Sequence, residues 1–151
     1  MASSPITIML PDPAATAHLA GRIALLVRFG DSILLEGPLG AGKTAFARAF
    51  LRHLTADPSL EVPSPTFTLV QTYDTPSGPV HHFDLWRLDG PGALEELGWD
   101  DARGDIVLVE WPDRLDGLRP ADALTVSLAL AEGDARSATL SGWPDRIGRI
   151  A

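Results

Sequence analysis

The sequence predicts an α/β fold, a three-layer sandwich with a mixed central sheet. Three observations carry that prediction. Residues 33–35 (Ile, Leu, Leu) and 106–109 (Ile, Val, Leu, Val) are apolar at every position, as strands are when helices cover both faces of a sheet. Between them, Ala47, Phe50, Leu51 and Leu54 recur at helical spacing. Elsewhere, strand-like runs flank compact turn signals, which adds antiparallel pairs to the sheet.

Taken in order, residues 6–10 read as a short strand. Asp12 then caps a helix that begins at Pro13, where a missing N–H costs nothing, and runs to Val27. The first buried strand spans 32–36 and leads directly into Gly37. A helix fills 43–54, with Pro58 beyond its end. Prolines punctuate 62–65, after which 66–73 and 79–85 read as an antiparallel hairpin turning at Pro76, Ser77 and Gly78. A short helix is expected at 93–97 and the second buried strand at 106–110. Two last strands, 124–130 and 137–140, are parted by the turn residues Gly133 and Asp134.

The 151 residues, 45% of them hydrophobic, suffice for one core, so a single domain spanning 1–151 is expected. Twelve Lys plus Arg against 20 Asp plus Glu give a formal net charge of -8. Such a field repels phosphate backbones and anionic lipid, which argues against unaided tight binding to nucleic acid. The absence of cysteine excludes disulfides, thiolate metal sites and cysteine nucleophiles. Residues 1–10 lack a basic leader pattern, and no apolar run approaches the roughly 20 residues that span a bilayer. The expectation is a cytoplasmic protein with no membrane association.

Gly37, Pro38, Leu39, Gly40, Ala41, Gly42, Lys43 and Thr44 together satisfy the phosphate-loop pattern. Its glycines let main-chain N–H groups turn inward around an anion, and the following helix points its positive end at the same charge. Lys43 is assigned to the β and γ phosphates and Thr44 to Mg²⁺. The loop joins a buried strand to a helix, the context this motif requires, so the fold is expected to be a P-loop NTPase-like sandwich. Guanine-specific proteins of this class usually read the base with an Asn-Lys-x-Asp element. The chain contains no asparagine, which favours ATP.

Two acids end strand-like runs, Asp84 after Val80, His81, His82 and Phe83, and Glu110 after the second apolar run. Either can serve as the Walker B carboxylate, because ligands of open α/β sheets gather beyond the carboxyl ends of strands. Glu110 is the better candidate, its strand being wholly apolar. Thr66, between Pro65 and Phe67, sits in an extended segment suited to sensing a γ-phosphate. His81 and His82, being adjacent in a strand, point to opposite faces and cannot both line one site. Trp111, next to Glu110, is placed near bound nucleotide.

In this order the pieces resemble the TsaE (formerly YjeE) family of small bacterial ATPases of tRNA threonylcarbamoyladenosine formation. The elements that carry the resemblance are the loop from Gly37 to Thr44, the run Pro63-Ser64-Pro65-Thr66-Phe67-Thr68-Leu69-Val70, the run His82-Phe83-Asp84-Leu85-Trp86-Arg87-Leu88, and Val109-Glu110-Trp111-Pro112. The resemblance implies a Mg²⁺-dependent ATPase, weak alone, that joins TsaB and TsaD and meets tRNA through that complex. It further implies nucleotide contacts from Gly37, Leu39, Gly40, Ala41, Gly42, Lys43, Thr44, Trp111 and Arg136. Thr44 and Glu110 fall at the Mg²⁺ site, and Thr66 and Asp84 join Glu110 as the catalytic and switch residues.

Two positions depart from the family pattern. Trp86 stands where tyrosine is usual, losing a phenolic hydroxyl but keeping an aromatic plane. Pro38 replaces a common acidic residue and removes one main-chain donor from the loop. Two other functions fit the loop, a small-molecule kinase and a non-hydrolysing ATP-dependent assembly module. The first normally needs an arginine-bearing lid, and no Arg-rich insertion is visible.

Overall fold

The computed structural model describes residues 5–65, 68–88 and 91–150. Its strands are β1 (Ile6–Leu10), β2 (Ser32–Glu36), β3 (Val70–Thr75), β4 (Gly78–Asp84), β5 (Ile106–Glu110), β6 (Leu124–Leu130) and β7 (Arg136–Ser141). They form one seven-stranded sheet in the order β1-β7-β6-β2-β5-β4-β3. Four consecutive strands, β6, β2, β5 and β4, run parallel. Antiparallel β7 and β1 extend the sheet on one side and β3 on the other, which makes it mixed.

The apolar runs alternate between the two faces as a pleated strand requires. Ile33 and Leu35 of β2, with Ile106 and Leu108 of β5, pack under the helices α1 (Pro13–Leu26) and α2 (Lys43–Thr55). Leu34, Val107 and Val109 face the other way and are buried with Leu94, Trp99 and Leu115. This second cover is thin. It consists of 3-10 segments at Pro91–Leu97 and Pro112–Leu118 and the single-turn helix α3 (Trp99–Ala102). Proline or glycine lies in or beside each stretch here, and runs this short cannot repay helix nucleation, so the chain settles into tight turns. Large side chains restore the burial that the short elements lack: Phe83 and Trp99 meet edge to face with ring centroids 5.2 Å apart.

Local signals set several boundaries. Asp12 caps α1 by accepting from Ala15 N at 2.9 Å, and Pro13 is the first helical residue. The β3–β4 turn falls at Pro76 and Ser77, locked by the Thr75 hydroxyl, which donates to Gly78 O at 2.8 Å. Of the strand expected over 66–73, residues 66 and 67 lie outside the described residues and β3 begins at Val70: Leu69 adopts φ 67 and its carbonyl accepts from Asp84 N, so the chain turns at Leu69 just before the strand. The expected helix at 93–97 is the 3-10 segment beginning two residues earlier, and α3 was not anticipated.

At the amino ends of the central parallel strands, the buried Arg146 fastens the chain's last segment. Its guanidinium donates to both carboxylate oxygens of Asp31 at 2.7 and 3.1 Å and to Leu26 O at 2.8 Å, and lies 3.9 Å from the Trp143 ring. Among the described residues, no helix is long and apolar enough to cross a membrane.

Candidate functional site

The site lies at the other end of the sheet, where β2, β4 and β5 deliver their carboxyl ends. Gly37 leaves β2 with φ +143, and a Cβ there would stand 2.5 Å from Leu128 O of β6. A side chain would therefore push the loop off the sheet. Gly42 is the N-cap of α2 at φ +103 and brings no side chain to the helix's opening N–H groups. Those donors, and the positive end of the helix, are left for an incoming anion.

Lys43 is buried, and its Nζ donates to Gly37 O at 2.5 Å and Pro38 O at 3.0 Å. The ammonium also lies 4.0 Å from the centroid of the Trp111 ring. Burial holds its pKa below the ordinary lysine value, against the opposing pull of Glu110, Asp84 and Asp113. The cation thus rests on main-chain carbonyls and an aromatic face, partners that a phosphate can displace.

Asp84 and Glu110 are register partners on adjacent parallel strands, both buried at the strand ends. Thr44, in the first turn of α2, donates its hydroxyl to Glu110 Oε1 at 3.1 Å. The other carboxylate oxygen, Oε2, lies 2.7 Å from His82 Nε2. Asp84 accepts from Trp86 N at 3.1 Å and from the Ser64 hydroxyl at 3.3 Å. Loop and acids enclose a cleft of about 420 Å³, within the range of small-molecule sites.

Trp111 adopts φ 59, a left-handed conformation uncommon for a bulky residue, and its indole lines the cleft. There it meets Trp86, with ring centroids 4.3 Å apart and planes tilted by 42°. The Trp86 aromatic plane, one of the departures from the family pattern, therefore forms part of the wall.

Of the residues singled out in the sequence, Leu39, Gly40, Gly42, Lys43, Thr44, Asp84, Glu110 and Trp111 converge on this cleft. Gly37 and Ala41 shape the loop without lining it. Arg136 acts on the loop: its guanidinium donates to Gly40 O at 3.1 Å and to the carbonyls of Gly133 and Ala135. Thr66 lies outside the described residues. The participant that sequence reasoning missed is His82. Its signal was available, because positions 80, 82 and 84 share one face of β4, so His82 and Asp84 point the same way.

The donor set is a hydroxyl and two carboxylates, hard oxygen ligands of the kind Mg²⁺ takes. Among the described residues, no group of three or more His, Asp or Glu is gathered that could hold a metal. Thr44 and Glu110 could hold a Mg²⁺ ion, which usually takes its remaining ligands from phosphate and water.

Comparison with known proteins gives the family. Residues 10–138 match the family described as Threonylcarbamoyl adenosine biosynthesis protein TsaE. A tRNA threonylcarbamoyladenosine biosynthesis protein TsaE from Rickettsia felis is 35% identical over 130 residues, covering 85% of this chain and 75% of the relative. The Bacillus subtilis protein of the same name is 33% identical over 138 residues, covering 89% and 84%. The crystal structure of Bacillus subtilis YdiB matches with a TM-score of 0.77 at 27% identity, covering 99% of this chain and 93% of that one. A family match across most of the chain, with relatives above 30% identity over the same stretch, establishes that this chain belongs to the TsaE family.

Proposed function

We propose that this protein binds and hydrolyses MgATP as a component of the tRNA threonylcarbamoyladenosine machinery, acting with TsaB and TsaD. The observation that carries the reading is the meeting of the Lys43 ammonium, the Thr44–Glu110 contact and Asp84 at one mouth, beside an uncapped helix start. Phosphate recognition falls to the loop N–H groups and to Lys43, which exchanges the carbonyls of Gly37 and Pro38 for phosphate oxygens.

Thr44 and Glu110 are the residues that would hold Mg²⁺, and the bound ion would neutralise charge on the phosphate oxygens. Asp84 and Glu110, side by side, orient an attacking water, whose proton passes to Asp84. Trp111 and Trp86 wall the cleft beside the Lys43 ammonium. The charge of -8 leaves recognition of tRNA to the assembled complex.

A pull-down against TsaB and TsaD, with and without ATP, tests the partnership. Capture that needs ATP and disappears in Lys43→Ala supports the reading. Failure of the folded wild-type protein to be captured in either condition contradicts it.

A further inference from the structure

We propose that His82 is a positioning residue for Glu110. The inference rests on the MgATP reading above but concerns a side chain to which that reading gives no task. His82 is completely buried and Glu110 nearly so, and their closest atoms, Nε2 and Oε2, are 2.7 Å apart. A carboxylate in so dry a place needs donors on both oxygens, since each buried acceptor left without one is costly. Thr44 supplies one donor and His82 the other.

The pairing follows from the sheet. His82 registers with Leu108 and Asp84 with Glu110, so on parallel β4 and β5 the His82 ring reaches diagonally to the acid two positions ahead. An ionised carboxylate only accepts, which makes Nε2 the donor. Nδ1 is buried with no hydrogen-bond partner among the described residues. A ring hydrogen on Nε2 is therefore the one that meets Glu110, whereas one on Nδ1 would find no acceptor. His82 thus holds Oε2 and turns Oε1 toward Thr44, fixing the acid as the outer partners of metal ligands do.

The test measures ATP affinity of wild type, His82→Leu and His82→Gln, each with Mg²⁺ and with a chelator. His82→Leu keeps bulk but removes the donor, and His82→Gln supplies an amide N–H in its place. The expected result is that His82→Leu loses about tenfold of the affinity gained from Mg²⁺, with chelator affinity unchanged, and that His82→Gln recovers much of it.

Should His82→Leu fail to fold, the glutamine variant and the ring nitrogens decide. In the ligand-free protein, nitrogen NMR should show His82 protonated on Nε2, with a resonance that moves in Glu110→Gln. An unchanged Mg²⁺ gain in both variants, or a His82 resonance indifferent to Glu110→Gln, overturns the proposal. Failure of the wild type to bind ATP at all would instead remove the MgATP reading, while the ligand-free NMR measurement would still judge the His82–Glu110 link.

Discussion

Thr44 and Glu110 stand 66 positions apart in the chain, yet the threonine hydroxyl donates to Glu110 Oε1 at 3.1 Å. The contact ties the first turn of α2 to the end of β5, so the loop between β2 and α2 is held against the acid that would share a metal with it. Glu110→Ala and Asp84→Ala should both suppress hydrolysis while ATP still binds through loop and lysine, Glu110→Ala with the affinity gained from Mg²⁺ reduced. Phosphate release assays on both variants check this. Normal turnover in both would reject the roles assigned to these acids.

Lys43→Ala should weaken ATP binding at least about tenfold, since hydrogen bonds to charged groups are worth about 1.5–3 kcal/mol. The same residue gives a pH dependence. Its protonated form attracts phosphate, and burial lowers its pKa from the ordinary 10.5. As pH rises through the lowered value, the charge is lost and affinity falls, at a lower pH than for an unperturbed lysine. Equilibrium dialysis across the alkaline range reads this midpoint, and a midpoint at or above 10.5 would contradict it.

Much of this arrangement is legible in the sequence. Asp12 and Pro13 announce α1, the apolar runs announce β2 and β5, and Gly37 to Thr44 announce the loop, because each signal is local. What escaped is relational. The diagonal reach from His82 to Glu110 depends on β4 lying beside β5 in one register, which no local pattern encodes. The thin layer over Leu34 and Val109 escaped for another reason: Pro91–Leu97 and Trp99–Ala102 owe their shape to packing of Leu94 and Trp99 rather than to helical periodicity.

Gly37→Ala should destabilise the fold. Positive φ and the approach to Leu128 O together cost about 2–4 kcal/mol, or roughly 5–15 °C in Tm. Gly148→Ala, where an added Cβ meets nothing within 4 Å, serves as the control and should change stability by less than about 0.5 kcal/mol. Thermal unfolding of the two variants makes the comparison.

Arg146→Ala should separate stability from binding. Breaking its pair with the half-buried Asp31 leaves that carboxylate the Arg28 main-chain N–H as donor and costs about 1.5–3 kcal/mol, the worth of hydrogen bonds to charged groups. The pair sits at the end of the sheet away from Gly37, so ATP affinity measured well below the lowered melting temperature should match the wild type.

Trp111 should report on the cleft. Its ring touches both the Lys43 ammonium and Trp86, so displacement of Lys43 by phosphate alters its surroundings. Trp111→Phe should abolish most of the fluorescence change caused by ATP, whereas Trp143→Phe, beside Arg146, should preserve it.

The central claim is that the loop ending in Lys43 and Thr44 holds a triphosphate. Calorimetric titration of MgATP into the folded protein tests it most directly. Saturable heat that vanishes in Lys43→Ala is the predicted result. Heat no greater than dilution, both for the protein alone and with TsaB and TsaD present, would contradict it.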